Sequence, residues 1–69
     1  MSGSLSLERG LSVLKALKDS DEPLGVREIA RRLELSAPAI QRLLNTLADH
    51  GYVEQAEDTR RYRIGHGVL

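Results

Sequence analysis

The residue types in this chain that could carry chemistry are few, and they do not assemble into a catalytic set. Ser36, Asp49 and His50 are the residue types of a hydrolase, but Ser36 lies nearly four turns before Asp49 on one predicted helix. A nucleophile and its base must lie within hydrogen-bond distance, which this spacing excludes. His50 and His66 have no cysteine or close set of carboxylates with which to bind a metal. We therefore predict no enzyme activity, no metal and no cofactor.

The arginines and amides suit contacts with nucleic acid instead. Every basic residue after Lys18 is arginine, whose planar guanidinium forms paired hydrogen bonds with phosphate and guanine. Gln41 can offer a donor and an acceptor to adenine, and Arg42 can contact guanine or phosphate. The net charge of zero argues against nucleic-acid binding, although the acidic and basic residues are clustered rather than mixed. The simpler interpretation is that the arginines are solvated and pair with nearby acidic residues.

Gln41, Arg42 and the nearby Asn45 lie on a segment with strong helical periodicity. Apolar residues recur there at the i, i+3, i+4 and i+7 spacing of one helix face: Ile40, Leu43, Leu44 and Leu47. The opposite face is small, cationic and hydrogen-bonding, with Gln41 beside it: Pro38, Arg42 and Asn45. Ser36 is the predicted N-cap and must accept the N–H of Ala39, because Pro38 has none. Gly51 is predicted to end the helix in a left-handed conformation.

A shorter helix, residues 26–34, is predicted just before this one. Gly25 is its N-cap, and its inner stripe contains Ile29, Ala30 and Leu33. The connection to the next helix is so tight that the pair forms a helix-turn-helix. Glu34 then occupies a position where a left-handed glycine is common, and a glutamate there carries roughly 1 kcal/mol of strain.

The first helix is predicted to begin at a Ser6 cap and to run to about Lys18. Its inner face is expected to be a row of leucines, with Val13 at the margin: Leu7, Leu11, Leu14 and Leu17. Gly10 costs about 1 kcal/mol relative to alanine in mid-helix. We interpret Gly10 as a tolerated weakness, the alternative being close packing by another chain. Residues 1–4 are predicted to form a disordered tail.

After the third helix the periodicity changes to that of strands. Residues 52–55 and 61–64 are predicted strands joined by the polar turn 56–60, and Leu24 is predicted to add a very short strand. The predicted fold is mainly α with a small β-hairpin. It is a winged helix-turn-helix of three helices and a two- or three-stranded wing. The second helix of such a unit can lie in the DNA major groove.

Alternation within the last strand places Tyr62 and Ile64 against the helices. Arg61 and Arg63 then face outward. A hairpin beside a helix-turn-helix can reach flanking phosphates, so Arg60 and Arg61 are candidate wing contacts unless the acidic residues of the turn neutralise them.

The length of the chain limits it to one small domain. A chain of 69 residues buries only about 60% of its unfolded surface, too little to enclose a large substrate pocket. No run approaches the ~18 apolar residues of a membrane helix, and no secretory signal is present. We therefore predict a cytoplasmic protein with no membrane partner.

Three fragments in order along the chain are characteristic: SLERGLSVLKAL, PLGVREIARRLELSAPAIQRLLNTLADHGYV and RRYRIG. They include an opening Ser-Leu-x-Arg-Gly-Leu, the Leu-Ser pair before the third helix, Arg-Leu-Leu-x-Thr-Leu within it and a closing Tyr-Arg-Ile-Gly. Over about Leu5 to Leu69 the chain resembles the N-terminal domain of IclR-type transcriptional regulators. The order and spacing of the fragments are more specific than any one of them.

The resemblance implies a winged-helix DNA-binding domain at residues 5–65, with residues 66–69 beginning a linker helix. In that family a larger domain follows, so an effector would bind outside these residues. It also implies that helix 36–50 lies in the major groove and that wing 56–61 contacts flanking backbone. The family binds operators as dimers through helix one and the linker, which implies a homodimer or higher and a pseudo-palindromic operator.

The resemblance and the exposed faces together name the candidate DNA contacts: Arg27, Ser36, Ala37, Pro38, Gln41, Arg42, Asn45, Arg60 and Arg61. Arg27 matches a backbone-contacting position of the family. The chain departs from the family pattern at Glu34, often glycine, and at Ala39, often threonine. The main alternative is a winged helix used as a protein–protein module, which would expose apolar anchors on its third helix.

Overall fold

The chain folds into three helices and a short β-hairpin, and the computed structural model describes residues 3–66. The elements in order are α1 (Leu5–Asp19), α2 (Val26–Leu33), α3 (Ala37–Asp49), β1 (Val53–Gln55) and β2 (Tyr62–Ile64). The two strands pair antiparallel, and Leu24 forms an isolated bridge to Tyr62. The predicted winged helix-turn-helix is confirmed, and Leu24 adds a third strand of a single residue. Within residues 3–66, no helix has both the length and the apolarity needed to cross a lipid bilayer.

One hydrophobic core is shared by all of these elements. Its buried residues are Val13, Leu17, Leu24, Ile29, Ala30, Ile40, Leu44, Val53 and Tyr62. The stripe predicted for α3 is confirmed, because Ile40 and Leu44 are fully buried and Leu43 and Leu47 pack against the same core. Each fully buried aliphatic side chain contributes roughly 1.5–3 kcal/mol. The core therefore holds α3 by its inner face and leaves its outer face in solvent.

The inner face of α1 differs from the one predicted. The helix buries Gly10, Val13 and Leu17, whereas Leu7 and Leu11 are 62% and 55% exposed. The prediction that Leu7 and Leu11 face the core is wrong, and Val13 lies at its centre instead of its margin. The helix is turned by about a quarter turn from the predicted orientation. Leucines occupy neighbouring stripes of α1, so their spacing indicates an amphipathic helix without indicating which stripe contacts α3.

Ser4 caps α1, and the prediction of a Ser6 cap is wrong. The Ser4 hydroxyl accepts the N–H of Leu7 at 3.2 Å. Ser4 therefore has a structural role, although the sequence places it in the tail of residues 1–4. The first two residues of that tail, and most of the predicted linker start at 66–69, lie outside the described residues.

Close backbone contact joins the hairpin to the end of α3. Gly51 ends α3 with a φ of 81°, as predicted. The N–H of Gly65 donates to the carbonyl of Tyr52 at 2.8 Å. A Cβ on Gly65 would lie 2.6 Å from the carbonyl oxygen of Gly51, closer than a Cβ atom can approach. The wing is thereby attached to the same helix whose outer face carries the candidate DNA contacts.

Candidate nucleic-acid interface

The turn between α2 and α3 determines the direction of α3. Glu34 adopts the left-handed conformation, with φ 58° and ψ 43°. The N–H of Leu35 donates to the carbonyl of Ala30 at 3.0 Å, and that of Glu34 to the carbonyl of Arg31 at 3.3 Å. This is the Schellman pattern, in which two terminal carbonyls of a helix are satisfied. This left-handed turn is therefore formed without glycine, at a cost of roughly 1–2 kcal/mol.

Ser36 starts α3 as the sequence predicts. Its hydroxyl accepts the N–H of Ala39 at 3.2 Å, and Pro38 lies in the first turn, where a missing N–H breaks no helical bond. Ser36 is exposed and Ala37 is half-buried. The first turn of α3 therefore has the geometry of a capped helix N-terminus, whose dipole and free N–H groups favour an anion.

The outer face of α3 is polar and open to solvent. Pro38, Arg42 and Asn45 are exposed, and Gln41 is half-buried beside them. Arg42 lies at the edge nearest α1, where it also lines a groove between α1 and α3. These side chains share one surface because the opposite side of α3 is occupied by the core.

Gln41 is not an isolated side chain. Its Nε2 donates to Oδ1 of Asn45 at 2.9 Å and to the hydroxyl of Tyr62 at 3.2 Å. Tyr62 is 4% exposed, so its ring belongs to the core and only its hydroxyl reaches α3. Sequence reasoning identified Gln41 and Asn45 but missed Tyr62, which it treated only as an inward-facing strand residue. No sequence spacing signals a contact between two residues 21 positions apart.

The arginines divide into paired and unpaired groups. Arg32 forms an ion pair with Glu28 at 3.5 Å, and Arg63 forms one with Glu54 at 3.3 Å. Within residues 3–66, no carboxylate pairs with the four arginines expected to contact DNA: Arg27, Arg42, Arg60 and Arg61. The guanidinium groups at these four exposed positions are thus available to an external anion.

The wing presents two of these arginines at its tip. Arg60 has a φ of 63°, a left-handed conformation, and its carbonyl accepts Nε2 of Gln55 at 3.0 Å. Asp58 accepts the N–H of Thr59 at 2.9 Å and caps the turn instead of pairing with Arg60 or Arg61. Both arginines are exposed. The turn therefore holds adjacent positive charges away from the core.

Residues 3–66 contain no group of three His, Cys, Asp or Glu side chains placed to hold a metal ion. The structure collects six of the candidate contacts on α3 and its cap, and leaves Arg27 on α2 and the two wing arginines at separate positions. The outer face of α3 is thus polar, and exposed arginines lie on the neighbouring elements.

Comparison with known proteins agrees with this geometry. The IclR helix-turn-helix domain family matches residues 6–57. The chain is 36% identical over 64 residues to the glycerol operon regulatory protein of Streptomyces coelicolor, covering 93% of the chain and 25% of that protein. It is 33% identical over 60 residues to the HTH-type transcriptional regulator XynR of Escherichia coli, covering 87% of the chain and 24% of that protein.

A solved structure shows the same fold. The crystal structure of an IclR family transcriptional regulator from Brucella abortus matches with a TM-score of 0.90 and 34% identity, over 99% of the chain and 26% of that structure. The chain spans about a quarter of the length of the curated relatives it matches. The matched residues contain α2, α3 and the turn between them. The chain belongs to the IclR family, as its helix-turn-helix domain.

Proposed function

We propose that this domain binds double-stranded DNA in a sequence-specific manner, as the DNA-binding part of a transcriptional regulator. Helix α3 lies in the major groove, and the wing, residues 56–61, contacts the flanking backbone. One observation carries the proposal: α3 packs one face against the core while its opposite face exposes Pro38, Arg42 and Asn45. The major groove admits an α-helix, and an exposed polar face of this kind reaches base edges.

Phosphate contacts come from three places around α3. Arg27 projects from the first turn of α2, and Ser36 and Ala37 lie at the start of α3, where the helix dipole favours a phosphate. Arg60 and Arg61 project from the wing. Contacts of this kind set the register of a protein on the duplex, and the side chains in the groove then read the sequence.

The composition of the outer face of α3 disfavours a protein–protein module. Protein interfaces depend on buried aromatic or apolar anchors, and this face offers Pro38, Gln41, Arg42 and Asn45. A transcriptional regulator without catalytic activity is the function that the named relatives support. Since its partner is DNA, we place the protein in the cytoplasm.

We further propose that the longer protein is a homodimer that uses the groove between α1 and α3. This groove has a volume of about 610 Å³, and Leu7, Leu11 and Tyr52 line it while remaining 62%, 55% and 43% exposed. Gly10 also lines it, and a Cβ there would meet nothing within 4 Å. A second copy can cover this apolar surface, and two-fold symmetry then requires a pseudo-palindromic operator. An effector would bind the part of the regulator beyond these residues.

Salt-dependent titration tests DNA binding. With about four phosphate contacts, log K against log salt should have a slope of about −3.6. Arg60→Ala should weaken binding to a preferred and a scrambled duplex equally and reduce the slope by about 1. Lys18→Ala is the matched control, because it removes the same charge at the end of α1, beside the acidic turn. Tight binding unchanged between about 50 and 200 mM salt would contradict the proposal.

Sedimentation equilibrium tests the dimer. Leu11→Asp should abolish any self-association at high micromolar concentration, since a charge in an apolar contact cannot be solvated. Leu5→Asp is the matched control, because Leu5 is 61% exposed on the same helix but does not line the groove. If Leu11→Asp and Leu5→Asp change self-association equally, the contact between the two copies lies on another surface.

A further inference from the structure

The amide of Gln41 makes two hydrogen bonds within the domain before any DNA is present. Both hydrogens of its Nε2 are directed to acceptors, one to Oδ1 of Asn45 at 2.9 Å and one to the Tyr62 hydroxyl at 3.2 Å. A glutamine held in this way has only one of its two polar side-chain atoms free for a base. The usual picture, in which one glutamine contacts both N6 and N7 of adenine, does not apply to it without breaking these bonds.

The polar atoms left over belong to two residues. Oε1 of Gln41 is an acceptor, and Nδ2 of Asn45 carries two donor hydrogens. If the oxygen and nitrogen of both amides are exchanged, the same three side chains stay bonded. The free acceptor then belongs to Asn45 and the free donor to Gln41, so the pair still offers one of each. Residues 41 and 45 are one helical turn apart, on the side of α3 that faces solvent. The pair therefore presents one acceptor and one donor as a unit.

This unit is complementary to only one base in the major groove. Adenine offers the N7 acceptor and the N6 donor side by side. Guanine offers two acceptors, so one of its atoms would face the acceptor of the pair. Cytosine offers only a donor, and thymine only an acceptor and a methyl group. An adenine satisfies both free atoms of the pair, and each other base leaves at least one without a partner.

Tyr62 controls the geometry of the pair from within the core. Its ring is buried, and its N–H and carbonyl both bond to Leu24, at 2.7 and 2.9 Å. The hydroxyl is thus held by the sheet, and through it the sheet limits the rotamers of Gln41. A side chain ordered before binding loses less conformational entropy when the complex forms.

We propose that the Tyr62 hydroxyl positions Gln41 and Asn45 as one composite reader of an adenine. The inference rests on the proposed placement of α3 in the major groove. Tyr62 is a positioning residue that does not touch the DNA, and Asn45 supplies half of the recognition. The unit joins the β-hairpin to α3, because Tyr62 is a residue of β2 and the other two belong to α3.

The test is a base-preference profile of the chain and its variants. A preferred duplex is selected from a random pool with the unaltered chain, and binding to every single-base variant of it is measured by fluorescence anisotropy in low salt. Tyr62→Phe keeps the buried ring and removes the hydroxyl. It should reduce the preference for adenine at one position by about tenfold and leave the other positions and the affinity for scrambled duplex unchanged.

Two variants make the result specific. Ser12→Ala is the matched control, because it removes an exposed hydroxyl that donates to the Glu8 carbonyl within α1 and does not line the groove between α1 and α3, so it should change nothing. Asn45→Ala alters the exposed half of the unit without touching the core, and should lose the same adenine preference at the same position. In a Gln41→Ala background, Tyr62→Phe should have no further effect, since it acts only through Gln41.

The outcomes separate this inference from the proposed function. A chain with no base preference at any position would refute sequence-specific binding itself. A chain that discriminates, with a Tyr62→Phe profile identical to its own, would refute the composite reader alone. A uniform loss across all duplexes would give Tyr62 a purely structural role and also refute it. If thermal denaturation shows that Tyr62→Phe is unfolded, the base-preference profiles of Asn45→Ala and Gln41→Ala decide. The inference is overturned if these two variants lose base preference at different positions of the duplex.

Discussion

Replacing Glu34 with glycine should stabilise the domain, although Glu34 is not in the core. The residue has a φ of 58° and a ψ of 43°, where a side chain brings Cβ too close to the following carbonyl. The cost for a non-glycine residue is roughly 1–2 kcal/mol. The greater freedom of glycine in the unfolded chain removes about 0.4–1 kcal/mol of this gain. The net gain expected for Glu34→Gly is therefore about 0–1.6 kcal/mol, with a central value of about 0.8 kcal/mol.

The magnitude is measurable by thermal and urea denaturation followed by circular dichroism. In a domain of this size, 1 kcal/mol corresponds to a change of about 4–8 °C in Tm, so a gain of about 0.8 kcal/mol in Glu34→Gly should raise Tm by about 3–6 °C. The m-value should not change, because the bonds from Leu35 and Glu34 to the end of α2 use only backbone atoms. The variant should bind DNA as the original chain does, since the direction of α3 is retained.

Glu34→Ala separates the backbone effect from the charge effect. A negative charge at the carboxyl end of α2 opposes the helix dipole, so removing it contributes a few tenths of a kcal/mol in either variant. Alanine retains Cβ and hence the strain, so its Tm should stay close to that of the original chain. If Glu34→Ala is as stabilising as Glu34→Gly, the unfavourable term is the carboxylate, and the argument from left-handed strain is refuted.

Other substitutions test the remaining structural features. Gly65→Ala should destabilise the domain by about 1–3 kcal/mol, because its Cβ would lie 2.6 Å from the Gly51 carbonyl oxygen. Gly10→Ala should stabilise it by up to about 1 kcal/mol, because its Cβ would meet nothing within 4 Å. Urea denaturation measures both, and equal changes in stability would contradict these two Cβ environments. Ser36→Ala should cost about 1 kcal/mol and Ser36→Gly only a few tenths, measured by thermal denaturation, as expected if the hydroxyl caps α3. Arg60→Gly should raise Tm and weaken DNA binding together, because it relieves a φ of 63° and removes a charge; a gain in Tm without loss of affinity would exclude Arg60 from the interface.

Local signals in the sequence were sufficient for most of the elements. The cap from Ser36 to Ala39, the left-handed Glu34 and the glycine after α3 each depend on residues within a few positions of one another. The stripe of α3 and the alternation of β2 depend on the geometric periods of helix and strand. Signals of this kind do not need the rest of the chain, and all of these predictions are confirmed by the structure.

Tertiary structure decided the features that depend on distant residues. Leu7 and Leu11 are as apolar as Leu17, and only packing against the other elements selected the stripe of Val13 and Leu17 for the core. The ion pair of Arg63 with Glu54 likewise depends on the pairing of β2 with β1. The pair of Arg32 with Glu28 is different, because its i, i+4 spacing within α2 is visible in the sequence.

The hydrogen bond from Gln41 to Tyr62 is also a feature that only the tertiary structure decided. The sequence by itself determined that Gln41 lies beside the exposed face of a helix and that Tyr62 faces inward from a strand. Only the packing of that strand against α3 brought the two side chains to 3.2 Å. Periodicity specifies the direction of a side chain relative to its own element, whereas the distance between side chains on different elements depends on the shape of the whole core.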